Sequence, residues 1–312
     1  MLFGITALKV LMMVAYGVPG YIMVKTKLLG EDAAKVFAKI LLYISSPALS
    51  IQTLNSVDCT PERLKSMGIF FAAVMASQVL IISLYSLIFR KKVKSDSGHK
   101  VLAVTGACGN VGFLGVPLLK FLFPDNPEII LYSAMFSITM NIIGWTLGLW
   151  LMTGNRKYIS LKSVFVNPST IAFAVGFTLF VTKTKLPDLL AEYVGMLGTM
   201  STFVCMTVLG MRLATKKLSN VFLNTRVYIG AISKLFVFPI VTLAIFYLLP
   251  VDQSVREAAF VLGCCPAATM IQSLAETHKG DSETAANIIL STSLFCILTI
   301  PIMWTAYNAL FI

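Results

Sequence analysis

Long apolar stretches separated by short polar joints make up almost the whole chain. Stretches of about 20 mostly apolar residues, the length a membrane-crossing helix needs, run at 3–24, 34–54, 66–89, 100–122, 129–152, 165–183, 189–212, 225–249, 255–277 and 284–309. The pattern predicts an all-α polytopic membrane protein with ten transmembrane helices, five in each half. The fourth and ninth spans are the least apolar, and each has a proline near its centre.

Those prolines, Pro117 and Pro266, lie 149 residues apart, and Pro19 and Pro168 share the same offset. Two pairs at one offset, in halves of five spans each, point to duplication. An odd number of spans per half starts the second half on the opposite side of the membrane. The expected architecture is therefore a 5+5 inverted repeat, residues 1–152 and 153–312, with broken crossing helices 4 and 9.

Composition narrows the class. Apolar residues make up 57% of the chain, charged residues only 12%, and mean hydropathy is +0.84. A soluble domain carries about 25% charged residues. The net charge of +11 comes from short clusters in the joints, which argues against a nucleic-acid partner and for membrane lipid. Cys108, Cys205, Cys264, Cys265 and Cys296 fall within spans and only Cys59 in a loop, so no disulfide framework is expected. His99 and His278 are remote from the cysteines, so neither a metal nor a cofactor is implied. No basic run precedes the first apolar stretch, which favours a retained first span over a signal peptide.

The joints differ in charge. Those after spans 1, 3, 5, 7 and 9 hold 17 basic residues, among them Arg156, Lys157, Lys162, Arg212, Lys216, Lys217, Arg226 and Lys279; the opposite joints hold six. The positive-inside rule puts the richer joints in the cytoplasm. The expected setting is the cell (inner) membrane, with both termini extracytoplasmic.

The first break reads Gly106-Ala-Cys-Gly109-Asn110-Val-Gly112-Phe-Leu-Gly115-Val-Pro117, the second Gly263-Cys-Cys-Pro266-Ala-Ala-Thr269. Glycine weakens a helix and proline removes a backbone donor, which predicts unwinding near Asn110 to Pro117 and around Pro266. Unwound backbone inside a bilayer is tolerated only against protein or a watery cavity. Two breaks at one depth would cross and aim helix N-termini, with their free N–H groups, at an anion. Asn110, Gly112, Thr269, Gln272 and Ser273 become candidate contacts. Small residues that merely let kinked helices pack closely are the competing explanation.

The stretch GNVGFLGVP resembles the fourth-helix motif of the auxin efflux carrier family, which includes bacterial malate- and malonate-type permeases. Asn167-Pro168-Ser-Thr-Ile171, Lys234-Leu-Phe-Val-Phe-Pro239 and Ala275-Glu-Thr-His-Lys-Gly-Asp281, followed by Ser291-Thr-Ser293 and Pro301, fit the same pattern. The resemblance implies the fold of that family: a scaffold domain of helices 1, 2, 6 and 7, a transport domain of helices 3–5 and 8–10, and a homodimer. It also implies a substrate near the crossing, with Asn110 and Pro117 at the first crossover and Pro266 at the second. The long hydrophilic loop of plant members is missing, which favours a short microbial carrier.

Ionisable groups at mid-bilayer cost about 2.5 kcal/mol or more and invite a functional reading. None of the 14 carboxylates falls at mid-depth, which gives no support to a buried proton relay. Lys234 lies about 15 Å into span 8 at 1.5 Å per residue. It either attracts a substrate carboxylate or replaces a coupling cation, or else it snorkels or bonds carbonyls freed by Pro239 or a helix break. Ser46 and Gln52 in span 2 are candidates from the scaffold side, with Ser45, Thr199, Ser201 and Thr202 nearby.

The sequence thus predicts a secondary transporter of a small organic anion by alternating access. The candidate contacts are Asn110, Gly112, Pro117, Pro266, Thr269, Gln272, Lys234, Ser46 and Gln52. The resemblance suggests mono- or dicarboxylates such as malate or malonate, or auxin-like acids. Coupling to Na+ or H+, uniport and exchange stay open. A membrane-embedded ligand sensor and a passive anion channel are the alternatives. An enzyme is not expected: HExxH, GxSxG and paired carboxylates at depth are all missing.

Overall fold

The computed structural model describes residues 2–155, 164–215, 224–278 and 280–311. Of the basic joint residues, Arg156, Lys157, Lys162, Lys216, Lys217 and Lys279 lie outside them. The elements described are helices: α1 (Phe3–Lys25), α2 (Ala33–Asn55), α3 (Pro61–Ile88), α4 (Arg90–Ser95), α5 (Ser97–Thr105), α6 (Val111–Leu122), α7 (Pro127–Thr153), α8 (Pro168–Val181), α9 (Asp188–Thr215), α10 (Thr225–Tyr247), α11 (Gln253–Gly263), α12 (Met270–Thr277) and α13 (Ser282–Phe311). Seven of them, α1, α2, α3, α7, α9, α10 and α13, are long and apolar enough to cross a membrane. This is a multi-pass helical protein.

The other three expected spans differ from a continuous crossing. The sixth is reduced to α8, 14 residues long, because Asn167 caps its start by accepting from Ser169 N at 2.9 Å and Pro168 opens the first turn. The fourth is divided into α5 and α6, and the ninth into α11 and α12.

The first division is not where the glycine–proline pattern puts it. Residues 106–110 leave the helix, whereas Val111 to Pro117 is helical: a π-turn, Val111–Gly115, runs into the α-turns that carry Pro117. Proline lacks an N–H and its ring pushes away the carbonyl four residues back, so the preceding turn widens instead of unwinding. The same device recurs at Leu41–Ser45 before Pro47 and at Ser233–Val237 before Pro239. Pro266, by contrast, does lie in non-helical backbone. The two prolines at the 149-residue offset are therefore not structurally equivalent.

Two groups of helices are distinguished, and they meet along α1 and α13, with further contacts of α2, α8 and α9 to α6 and α7. In one, α1 lies against α9, and α2 against α8 and α9. The α1–α9 crossing is close because Gly17 and Gly20 meet Met206, Thr207 and Gly210 backbone to backbone, with no room for a Cβ. In the other set, α3 packs on α7 and α10, α10 on α11, and α13 on α5, α10 and α12. Phe70, Phe136, Phe238 and Phe246 fill its centre, with Phe70–Phe246 and Phe136–Phe238 ring centroids 5.2 and 5.9 Å apart. Arg226 draws together the starts of α5, α10 and α13 by binding Asp96 at 2.6 Å and Asp281 at 3.4 Å. Outward faces carry Leu8, Met12, Ile22, Tyr43, Tyr193 and Met196 in exposed positions, as suits helices surrounded by lipid.

Candidate functional site

The two divided helices touch at their breaks. Gly109 and Ala267 form an isolated antiparallel bridge. Asn110 N donates to Pro266 O at 2.7 Å and Ala268 N to Cys108 O at 3.1 Å. The paired residues are 158 positions apart, so the register of the crossing differs from the proline offset. Backbone groups released by ending a helix must find partners in a buried site, and here each break supplies them to the other. A third helix helps: Ala267 N donates to Thr292 Oγ1 of α13 at 3.1 Å.

Lys234 completes this arrangement from α10. Its side chain is fully buried, its Nζ donates to Gly263 O at 2.7 Å, and it stands 4.5 Å over the ring of Phe238. Gly263 ends α11. A cation there satisfies a terminal carbonyl and meets the negative end of the helix dipole. Of the roles open to Lys234 from sequence, this geometry is that of an ammonium bound to a carbonyl freed by a helix break. Lys234 does not line the cavity described next.

Beside the crossing lies a cavity of about 210 Å³. Ser46, Asn110, Gly112 and Thr269 line it, together with Asn141 and Arg212. Ser46 also pairs with Ser169 at 3.0 Å across α2 and α8. Pro117, Pro266, Gln272 and Gln52 are outside the lining. Pro266 contributes through its carbonyl, as above. Gln272 binds Arg212, and its Nε2 donates to Glu276 at 2.7 Å. Gln52 is turned toward Gly195 and Gly198 of α9, where its Oε1 is buried with no hydrogen-bond partner.

Arg212 is the functional group that sequence reading misses. As the last basic residue of span 7 it counts as a joint charge, yet it lines the cavity. Cys205, Val208 and Arg212 all line it, at i, i+3 and i+7, the spacing of one helix face. Asn110 Nδ2 donates to Cys205 Sγ at 3.6 Å. The amide and the guanidinium therefore share a wall, with their anchor points on α9 about 10 Å apart at 1.5 Å rise per residue. The described lining residues include this guanidinium and no carboxylate.

A multi-pass helical membrane protein whose divided helices cross beside a mainly apolar cavity with a few polar side chains is built as transporters are. Comparison with known proteins agrees. The chain belongs to the membrane transport protein family, the auxin efflux carrier group that its fourth-span motif resembles; the family model matches residues 4–164 and 157–304. An uncharacterized transporter of Methanocaldococcus jannaschii is 25% identical over 294 residues, spanning 90% of this chain and 92% of its own length.

Proposed function

We propose that this member of the family is a secondary transporter that moves small organic anions, mono- or dicarboxylates, across the cell membrane by alternating access. The observation that carries the reading is the cavity at the crossing, with one guanidinium, three side-chain amides (Asn110, Asn141 and Asn167) and no carboxylate among its described lining residues. Glu276, reached through Gln272, acts on the Arg212 charge from behind the wall, and a counter-charge inside the cavity would add to it. A carboxylate fits the planar fork of Arg212 in two-bond geometry. Asn110 orients it, and Ser46, Gly112 and Thr269 bound the space. In this reading Lys234 braces the crossing, Pro117 and Pro266 shape it, and Gln52 stays behind the wall.

The halves 1–152 and 153–312 are read as an inverted repeat, supported by the reciprocal bonds on either side of the Gly109–Ala267 bridge. The helix set α1, α2, α8 and α9 is read as a scaffold, and the remaining helices as the moving transport domain. The α1–α9, α2–α8 and α2–α9 packing supports the first grouping, and the contact of α1 with α13 is where the two meet. The exposed apolar faces of α1, α2 and α9 suit lipid and a second copy of the chain in a homodimer. The basic joints argue for both termini outside the cytoplasm.

Flux in proteoliposomes tests the reading. Malonate, malate, succinate and indole-3-acetate are offered with and without Na+ and pH gradients, and saturable counterflow of at least one is expected. No movement of any carboxylate sinks it. The gradient arms separate coupling to Na+ or H+ from uniport and exchange.

A further inference from the structure

Arg212 is engaged on two sides. It lines the cavity from α9, and its Nη1 donates to Oε1 of Gln272 on α12, whose own Nε2 donates to Oε1 of Glu276 at 2.7 Å. The chain Arg212–Gln272–Glu276 thus joins the two packing sets. So does the Asn110–Cys205 bond, from α9 to the first break. Several other inter-helix hydrogen bonds among the described residues stay within one group. Ser46–Ser169 and Thr207–Tyr16 belong to the first; Tyr85–His99, Arg226–Asp96, Lys234–Gly263 and Ala267–Thr292 belong to the second. Both crossing bonds end on groups that face the cavity.

We propose that the Arg212–Gln272 bond is a latch that the cargo opens. An incoming carboxylate takes the guanidinium from the amide oxygen of Gln272, so that filling the cavity releases α12 from α9. The exchange is favoured because a carboxylate brings a full opposite charge and a second parallel bond to the guanidinium, neither of which the amide oxygen of Gln272 supplies. A ligand shifts a conformational equilibrium only through a difference in its interaction with the two states. Competition for one guanidinium supplies that difference. The neutrality of Gln272 matters: it holds Arg212 in the empty cavity weakly enough to lose it. Glu276 binds the amide nitrogen and thereby keeps Oε1 turned toward Arg212.

The latch rests on the cavity being an anion site, and one experiment separates the two. The full-length chain in detergent is titrated with malonate, malate, succinate and indole-3-acetate, following thermal stabilisation, as wild type and as Gln272→Leu, Gln272→Glu and Arg212→Gln. Removing the competitor in Gln272→Leu is expected to tighten carboxylate binding about three- to tenfold. The isosteric Gln272→Glu, which holds Arg212 as an ion pair, weakens it about tenfold or more, as does Arg212→Gln. Opposite signs at one position are not the result of a merely structural glutamine, nor of one that contacts the cargo directly. Gln272→Leu that binds no tighter than wild type, or Gln272→Glu that binds equally well, overturns the latch and leaves the anion site standing. Should Gln272→Leu fail to fold, Gln272→Glu alone decides. Wild type that binds none of the four overturns both.

Discussion

Lys234 Nζ lies 2.7 Å from the carbonyl oxygen of Gly263, so the most deeply buried cation among the described residues is committed to the end of a helix. This separates two positive charges that look alike in sequence. Lys234 holds the crossing together, and Arg212 faces the cavity.

Replacing Lys234 with Met therefore reads out as stability. The Gly263 carbonyl loses its donor, at about 1–3 kcal/mol for a buried acceptor left unpaired. A lowered melting temperature in detergent is expected, with carboxylate affinity of the folded fraction within about twofold of wild type. Unchanged stability with lost binding would return Lys234 to the cargo site.

Asn110→Asp keeps the backbone bond from residue 110 to Pro266, removes the amide donor to Cys205 and puts a carboxylate on the cavity wall. A carboxylate there repels an anionic cargo, and like charges brought together cost several kcal/mol. Counterflow of carboxylates is expected to fall about 100-fold or more at the affinities such a penalty implies, while the protein remains monodisperse. Uptake at the wild-type rate contradicts the assignment of Asn110.

The close α1–α9 crossing makes a steric prediction. A Cβ at Gly210 would collide with the carbonyl of Gly17, whereas one at Gly68 meets open space. Gly210→Ala is expected to lose about 1–3 kcal/mol by overpacking, visible as reduced folded yield and melting temperature. Gly68→Ala serves as the control and gains slightly, as alanine does over glycine in a helix. Equal behaviour of the two variants refutes the crossing geometry.

The joint between α2 and α3 carries a pH effect. A hydrogen bond from Lys185 at 2.9 Å, reinforced by its charge, holds the Asp58 carboxyl below its ordinary value. A carboxylate depressed in the folded state contributes stability above its unfolded pKa of about 3.9 and loses it as pH falls through the lower folded value. The difference in melting temperature between wild type and Asp58→Asn should be constant from pH 8 to about 5 and shrink as the pH falls below the unfolded value and through the depressed folded one. Since Asp58 is exposed, the difference is small. A gap that grows with acidity contradicts the pairing.

The glycines and prolines of spans 4 and 9 marked the breaks from sequence, because both residue types act on their own backbone. The exact unwound residues were less legible. Pro117 widens a turn while residues 106–110 unwind, since the partners that stabilise open backbone come from Pro266 and Cys108 across the crossing. Gln272 was legible as a polar residue one turn beyond a break. That it faces Arg212 and not the cavity depends on how α12 rotates against α9.

Taken alone, the sequence determined that this chain lives in a membrane, roughly where its long helices run, and which two spans are weak. Those properties follow from transfer free energy and local backbone chemistry, which each segment carries with it. The tertiary structure decided which cation serves the cavity, which braces the crossing, and which residues pair across the breaks. Such roles depend on distances between segments far apart in the chain. Arg212 and Gln272, 60 residues apart, meet only when α9 and α12 pack.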